Sequence, residues 1–370
     1  MMVREGAVYI GGNFRVVGGQ PRAGIAAIDS VTGRAMSWNP SCDGWVQTMA
    51  LADSTAYVGG LFGSIGGQAR QDLAEVNLKS GLATGWDPKP DDFITGVTAS
   101  QDAVYVGGLF SSIGASARSY VAAVNRTTGL ATTWDPHADD VVNCFAVDDT
   151  TIYIGGYFNH IGGQARDAFA AVSTLTGAAS AMTANVDQQL KEIVVRSGVV
   201  YVGGAFRSIG GIPRFCLAAL ERGTGRVLGW NPDPDAVVWA MTADQDHIYP
   251  VGAFARVGTI PVSLMARVAL ATAAPGPPPP ANASLLQSIG VTNPCRSTGV
   301  VHFALLSDGS VNLRVFDMQG RRVRTLLSNS PQAAGEHELP VDTTGWPPGL
   351  YFYRLEGGRD SATRKMVVLP

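Results

Sequence analysis

Six tyrosines, Tyr9, Tyr57, Tyr105, Tyr153, Tyr201 and Tyr249, follow one another at a constant spacing of 48 residues. A fixed period of that length means that one supersecondary unit has been copied. Such a unit cannot bury its apolar face alone and must pack against its neighbours. The same phrase returns around each tyrosine. A glycine pair follows directly (Gly59-Gly60, Gly107-Gly108, Gly155-Gly156, Gly203-Gly204), and phenylalanine comes five residues on (Phe14, Phe62, Phe110, Phe158, Phe206, Phe254). Thirteen residues on stands Arg22, Arg70, Arg118, Arg166 or Arg214, replaced by Val262 in the last copy. Seventeen on is always alanine, from Ala26 to Ala266. A turn glycine, mostly in a Thr-Gly pair, and then Trp38, Trp86, Trp134 or Trp230 close the unit, with Met182 in the tryptophan position of the fourth copy.

Four strand signals bounded by turn residues fit each period. The first is a stretch such as Ile94 to Ser100, the second is the tyrosine phrase, and the third is a run such as Tyr120 to Asn125. The fourth carries the tryptophan. Four antiparallel strands in each copied unit predict an all-β six-bladed β-propeller over residues 1–272, its ring incompletely closed by these residues alone. Small residues in the second and third strands let neighbouring blades approach. The composition agrees: 46% of residues are hydrophobic, 15% are charged and 45 are glycine, which suits many tight turns.

Strand parity puts two tight turns at one end of each blade and two long loops at the other. The long-loop end holds Phe-x-x-Ile-Gly-Gly-x-x-Arg and Trp-Asp/Asn-Pro-x-x-Asp. Arg22, Arg70, Arg118, Arg166 and Arg214 therefore share this end with Asp43, Asp91, Asp139, Asp187 and Asp235. The simplest expectation is a ring of Arg–Asp ion pairs and Arg–Trp stacks joining adjacent loops. The competing expectation is a ligand or a calcium ion on acidic loops such as Asp87, Asp91 and Asp92 or Asp135, Asp139 and Asp140. No Asp-x-Asp-x-Asp-Gly loop supports calcium. His137 and His160 occupy long-loop positions of neighbouring copies. Asp139, Asp140 and His160 form the grouping suited to acid–base work. Trp45, Phe93 and Tyr157 depart from the repeat and are candidates for stacking on a glycan.

Little else points to catalysis. No nucleophile elbow, phosphate loop or zinc motif is present, and near-identical copies lack the asymmetry that a reaction centre needs. A net charge of -3 gives no basic footprint for nucleic acid. No apolar run reaches the ~18 residues of a membrane helix. The four cysteines, Cys42, Cys144, Cys216 and Cys295, have no metal or disulfide spacing and read as buried thiols. Met1-Met2-Val3-Arg4-Glu5-Gly6 is too short and polar for a signal peptide. It also leaves almost no room for a first strand. Upstream residues are therefore expected, supplying a signal peptide and the strand that closes the ring.

Residues 273–283 form a proline-rich linker, including Pro277-Pro278-Pro279-Pro280, that cannot continue a sheet. Beyond it, 284–370 reads as a second domain with strands at Val300 to Leu305, Val311 to Asp317, Arg322 to Leu327, Glu336 to Val341, Gly349 to Leu355 and Ala362 to Leu369. Such short strands suggest an Ig-like β-sandwich. The motifs Asn293-Pro294, Val311-Asn312-Leu313-Arg314-Val315-Phe316-Asp317-Met318-Gln319-Gly320-Arg321-Arg322-Val323, Ala334-Gly335-Glu336-His337, Pro348-Gly349-Leu350-Tyr351 and Thr363-Arg364-Lys365-Met366-Val367-Val368 resemble the C-terminal sorting domain of bacterial type IX secretion. They also resemble the Ig-like domain of the flagellar hook-capping protein. Cys295 stands where that pattern has phenylalanine. The repeats are more loosely similar to bacterial Gly-Gly-x-Phe-x-x-Ile-Gly-Gly propeller repeats of the delta-sixty kind.

The resemblance implies export to the outer-membrane surface or beyond, with the secretion machinery as a partner. It says nothing of an activity. The expected function is a monomeric binding module with a protein or glycan ligand and no cofactor. The alternatives are a secreted glycan-active hydrolase or lyase with its site at the propeller mouth, and a structural surface or adhesion component.

Overall fold

The computed structural model describes residues 2–271, 286–291, 295–305, 309–318, 321–357 and 360–369. The expected linker 273–283, the Asn293-Pro294 pair and the turn residues Ser307-Asp308 and Gln319-Gly320 lie outside them. Two compact units divide the chain, Met1–Gly276 and Pro277–Pro370. Every regular element among the described residues is a strand. Among the described residues, no helix is long and apolar enough to cross a membrane.

The first unit is a propeller-like series of six three-stranded antiparallel sheets, one for each tyrosine phrase. The third is typical. Ile94–Ala99 pairs with Ala103–Gly108, which pairs with Val121–Asn125. Tyr105 sits in the middle strand opposite Ala123. Apolar residues on both faces of the middle strand are buried, so each sheet packs against the sheets on either side. One cluster shows this. Tyr57, Leu73 and Trp86 from the second copy pack with Ile94, Val104, Val106 and Phe110 from the third. Full burial of such side chains stabilises by roughly 1.5–3 kcal/mol each.

The glycine pair divides its work between two contacts. A Cβ on Gly59 would lie 2.5 Å from the Ile94 side chain of the next sheet. A Cβ on Gly60 would lie 2.1 Å from the Trp45 carbonyl of its own sheet. That carbonyl intrudes because the leading strand bulges between Val46 and Thr48, and the same bulge recurs between Ile94 and Gly96, Val142 and Cys144, Leu190 and Glu192, and Val238 and Ala240. A bulge bends the strand and brings its backbone closer to the neighbour.

Three expectations are corrected. The fourth strand is reduced to a single bridge in each of five copies, for example Val124 with Ala131. The chain past it is rich in proline, as in Trp86-Asp87-Pro88-Lys89-Pro90, and proline cannot donate to a ladder. The long loop after the tyrosine phrase is itself folded as a small hairpin, for example Ser112–Ile113 paired with Ser116–Ala117. The first copy does have a leading strand, Met2–Arg4, paired with Ala7–Gly11.

The second unit is a sandwich of two antiparallel sheets. Thr298–Leu305 lies between Leu286–Val291 and Gly335–Asp342. The other sheet runs Arg322–Gln332, Gly309–Phe316, Gly349–Gly357, Asp360–Val368. Val301, Phe303 and Leu305 from the first meet Val311, Leu313, Tyr353 and Met366 from the second in one core. The alternating burial of Gly309–Phe316 is what a strand with one face on a core requires.

Candidate functional site

At one end of the first unit, the hairpin of each of the second to sixth copies meets the loop that precedes its sheet, which reads Trp-x-Pro in all but the fifth, where it is Met182-Thr183-Ala184. The aspartates of that loop serve the hairpin backbone. Asp91 Oδ1 accepts from the Ser111 and Ser112 amides at 2.8 and 2.9 Å, and Oδ2 accepts from Ser111 Oγ at 2.6 Å. Asp43 repeats the pattern on Gly63 and Ser64, and Asp139 on Asn159 and His160. Asp187 accepts from the Arg207 amide, and Asp235 from the Ala255 and Arg256 amides. Desolvation alone would raise the Asp91 carboxyl, but hydrogen bonds from the Ser111 hydroxyl and the two serine amides outweigh it and hold it at about 2. The carboxyls of Asp43, Asp139 and Asp235 are lowered too.

The register arginines are committed elsewhere. In each, one terminal guanidinium nitrogen donates to the preceding residue's carbonyl and the other to a carbonyl 14 residues on: Met36 for Arg22, Thr84 for Arg70, Thr132 for Arg118, Ser180 for Arg166 and Leu228 for Arg214. The expected ring of Arg–Asp pairs is thus replaced by two backbone staples, an acidic one between copies and a basic one within each of the first five copies. The sequence pattern reads both residue types as neighbours at one end of each blade. It could not show that backbone groups, which look alike in every sequence, are their partners. Arg118 alone also lies within ion-pair reach of a carboxylate, Asp135, at 3.4 Å. The cation–π contacts among the described residues are Arg126 on Tyr57 and Lys191 on Tyr157, not register arginine on tryptophan.

His160 Nδ1 lies 3.0 Å from Asp139 Oδ2 on an exposed surface, and His137 lies 3.5 Å from Asp135. The two histidines therefore face different carboxylates. Asp140 uses its carboxylate on the Val141 amide, so it does not join His160 and Asp139. Among the described residues, no three of His, Cys, Asp and Glu are grouped to hold a metal ion.

The aromatics that break the repeat do come together. Trp45 starts the leading strand of the second sheet and Phe93 directly precedes that of the third, and their ring centroids are 6.0 Å apart at 32°. Leu61 stands opposite Trp45 in the ladder, and the Leu109 amide donates to the Phe93 carbonyl. Trp45, Leu61 and Leu109 are exposed, at 44%, 55% and 45%. Tyr157 holds the position equivalent to Leu61 and Leu109 in the fourth copy and is also exposed, under the Lys191 ammonium at 5.5 Å. Large apolar groups at the rim of a folded unit are left there at a cost in hydration, and a contiguous row of them marks a contact surface. The leucines escaped the sequence reading. Their signal was the residue after the glycine pair, where the copies read Asn13, Leu61, Leu109, Tyr157, Ala205 and Ala253.

Residues 293–369 match the secretion system C-terminal sorting domain. This tail implies export by type IX secretion to the cell surface or the extracellular space. It also names the secretion machinery as an interaction partner. No curated protein matches the chain. Among solved structures, the computationally designed protein Ika8 is similar over 99% of this chain and 94% of its own, at 13% identity and a TM-score of 0.45. The Pan2 WD40 domain of Neurospora crassa is similar over 88% of this chain and 79% of its own, at 11% identity and a TM-score of 0.38.

Proposed function

We propose that this chain is an exported binding protein of the bacterial surface. Its six sheets act as propeller blades whose hairpin end meets a glycan or protein ligand, and its C-terminal unit acts as an Ig-like sorting tail. The observation that carries the reading is the pairing of the exposed Trp45 ring with the half-buried Phe93 ring, flanked by the exposed Leu61 and Leu109. Sugar rings carry C–H faces that lie flat on aromatic rings, while their hydroxyls need polar neighbours. Asp92 and Asp91 adjoin Phe93 and supply acceptors. The staples described above support the same reading. They hold the hairpins to the sheets by backbone bonds, so a bound ligand need not order them first.

A glycan array probed with the whole chain, and with Trp45→Ala and Phe93→Ala, tests this. Binding that either substitution weakens by about tenfold or more supports it, since an aromatic stacking contact supplies on the order of 1 kcal/mol beyond its area. Unchanged binding in both variants removes the platform from the account. Release of shortened product from a bound glycan would move the chain to the glycan-active enzymes.

A further inference from the structure

The six copies serve as internal controls for one another, and one cleft departs from its equivalents in the second, third and fourth copies. It lies between the hairpins of the fifth and sixth copies and has a volume of about 560 Å³. Arg207 lines it where the second, third and fourth copies have Gly63, Ser111 and Asn159, and the first copy has Arg15. Phe215 lines it where they have Gln71, Ser119 and Asp167. Gln188 and Ala236 line it where the third and fourth copies carry acids, Asp92 and Asp140. The cleft thus loses the two acids next to the register aspartates, gains an arginine and an aromatic ring, and gains one acid, Asp233, where the third and fourth copies have Lys89 and His137.

The cation is available. The Arg207 backbone amide is taken by Asp187, but the guanidinium makes no ion pair or side-chain hydrogen bond among the described residues. The second arginine in the cleft, Arg256, is already matched by Asp235 at 3.3 Å. The Phe215 ring is 48% exposed. Gln188 and Asp233 add neutral and anionic hydrogen-bond acceptors on the same walls.

Resting on the reading of this chain as a glycan-binding protein, we propose that this cleft binds an acidic sugar, its carboxylate on Arg207 and its ring face on Phe215. A planar guanidinium can hold a carboxylate through two parallel hydrogen bonds. An exposed phenylalanine gives the apolar face of a pyranose a wall to stack on. Gln188 and Asp233 then receive hydroxyl groups, which a simple inorganic anion lacks. The cleft is therefore a second contact region, separate from the Trp45–Phe93 platform in the second and third copies.

Isothermal titration of the full chain with trigalacturonate and with neutral galactotriose tests the proposal. The trigalacturonate is expected to bind and the neutral sugar to bind at least about tenfold more weakly. Arg207→Gln and Phe215→Ala are each expected to weaken trigalacturonate by about tenfold, while Arg207→Lys, a charge without the fork, recovers only part. Both side chains are exposed, so the variants keep the fold, and an unchanged melting temperature confirms it. Equal binding of the two sugars, no binding of trigalacturonate, or wild-type affinity in both variants overturns the proposal. So does equal binding of polyglutamate, which would show a charge effect alone. Loss of trigalacturonate binding in Trp45→Ala but not in Arg207→Gln would also overturn the cleft, while leaving the platform and the binding function standing.

Discussion

The indole Nε1 of Trp86 donates to the Asn125 carbonyl of the next repeat at 2.9 Å. Trp38, Trp134 and Trp230 make the same bond to Asn77, Ser173 and Ala269, each 39 residues further along. In each of these copies the indole also meets the tyrosine edge-on, with centroids 5.0–5.2 Å apart. Tryptophan is therefore a latch from one sheet to the next. In the fourth copy Met182 cannot donate, and Tyr153 stacks on Phe169 instead. Met182→Trp alone is expected to overpack against Phe169 and destabilise by about 1–3 kcal/mol. Met182→Trp combined with Phe169→Val, the residue type of the third copy, is expected to recover that loss. Urea unfolding of the two variants and the parent measures it.

Gly60 has the Trp45 carbonyl 2.1 Å from where a Cβ would stand, whereas a Cβ on Gly85 would meet nothing within 4 Å. Gly60→Ala is expected to cost about 1–3 kcal/mol or more, because the obstruction is backbone and cannot rotate away. Gly85→Ala is expected to stay within about 0.5 kcal/mol of the parent. Thermal unfolding of both variants separates a packing requirement from a general dislike of alanine.

Acid should loosen the hairpin end. The Asp91 carboxyl is held at about 2, below the ordinary aspartate value, and those of Asp43, Asp139 and Asp235 are lowered as well. A carboxylate with a depressed folded-state pKa contributes its full stability above the unfolded value. That contribution is lost as pH falls through the folded one. Unfolding midpoints should therefore fall between about pH 4 and pH 2. Asp91→Asn should start lower at pH 7 and show a shallower acid slope. An identical slope in this variant would assign the acid sensitivity to other groups.

Glu192 behaves in the opposite sense. Desolvation in the leading strand of the fifth sheet, Leu190–Arg196, pushes its carboxyl up to about 7, only partly offset by the Ile193 amide. The folded state then holds a proton that the unfolded chain has released, so stability declines as pH rises from about 4.5 to about 7. Glu192→Gln is expected to raise the unfolding midpoint at pH 8 and to flatten that decline. Chemical unfolding at pH 5 and pH 8 is the measurement, and a variant no more stable than the parent at pH 8 would count against a strained carboxylate.

The sorting tail and the sheet array are separate compact units. Removal of 284–370 is expected to leave the array folded, with unchanged β-sheet circular dichroism, and to abolish appearance of the protein outside a type IX host. Normal secretion of the shortened chain would remove the tail from the export route.

The 48-residue period alone determined the all-β class, the six copies and the position of each tyrosine phrase, because periodicity is a property of the chain. The C-terminal motifs likewise carried the sorting tail without coordinates, since they are local phrases. Only the tertiary structure decided how the recurring charges are used. Asp91 and Arg70 look like partners in a sequence, yet each satisfies backbone groups, because a folded loop must first pair its own amides and carbonyls. The fourth strand of each copy was likewise beyond the pattern, which reads side chains and not the donors that proline removes. The pairing of Trp45 with Phe93 and the sharing of one cleft by Arg207 and Phe215 depend on distances between strands and hairpins. Sequence order holds no record of those distances, because they are set by how closely neighbouring sheets pack across their glycines.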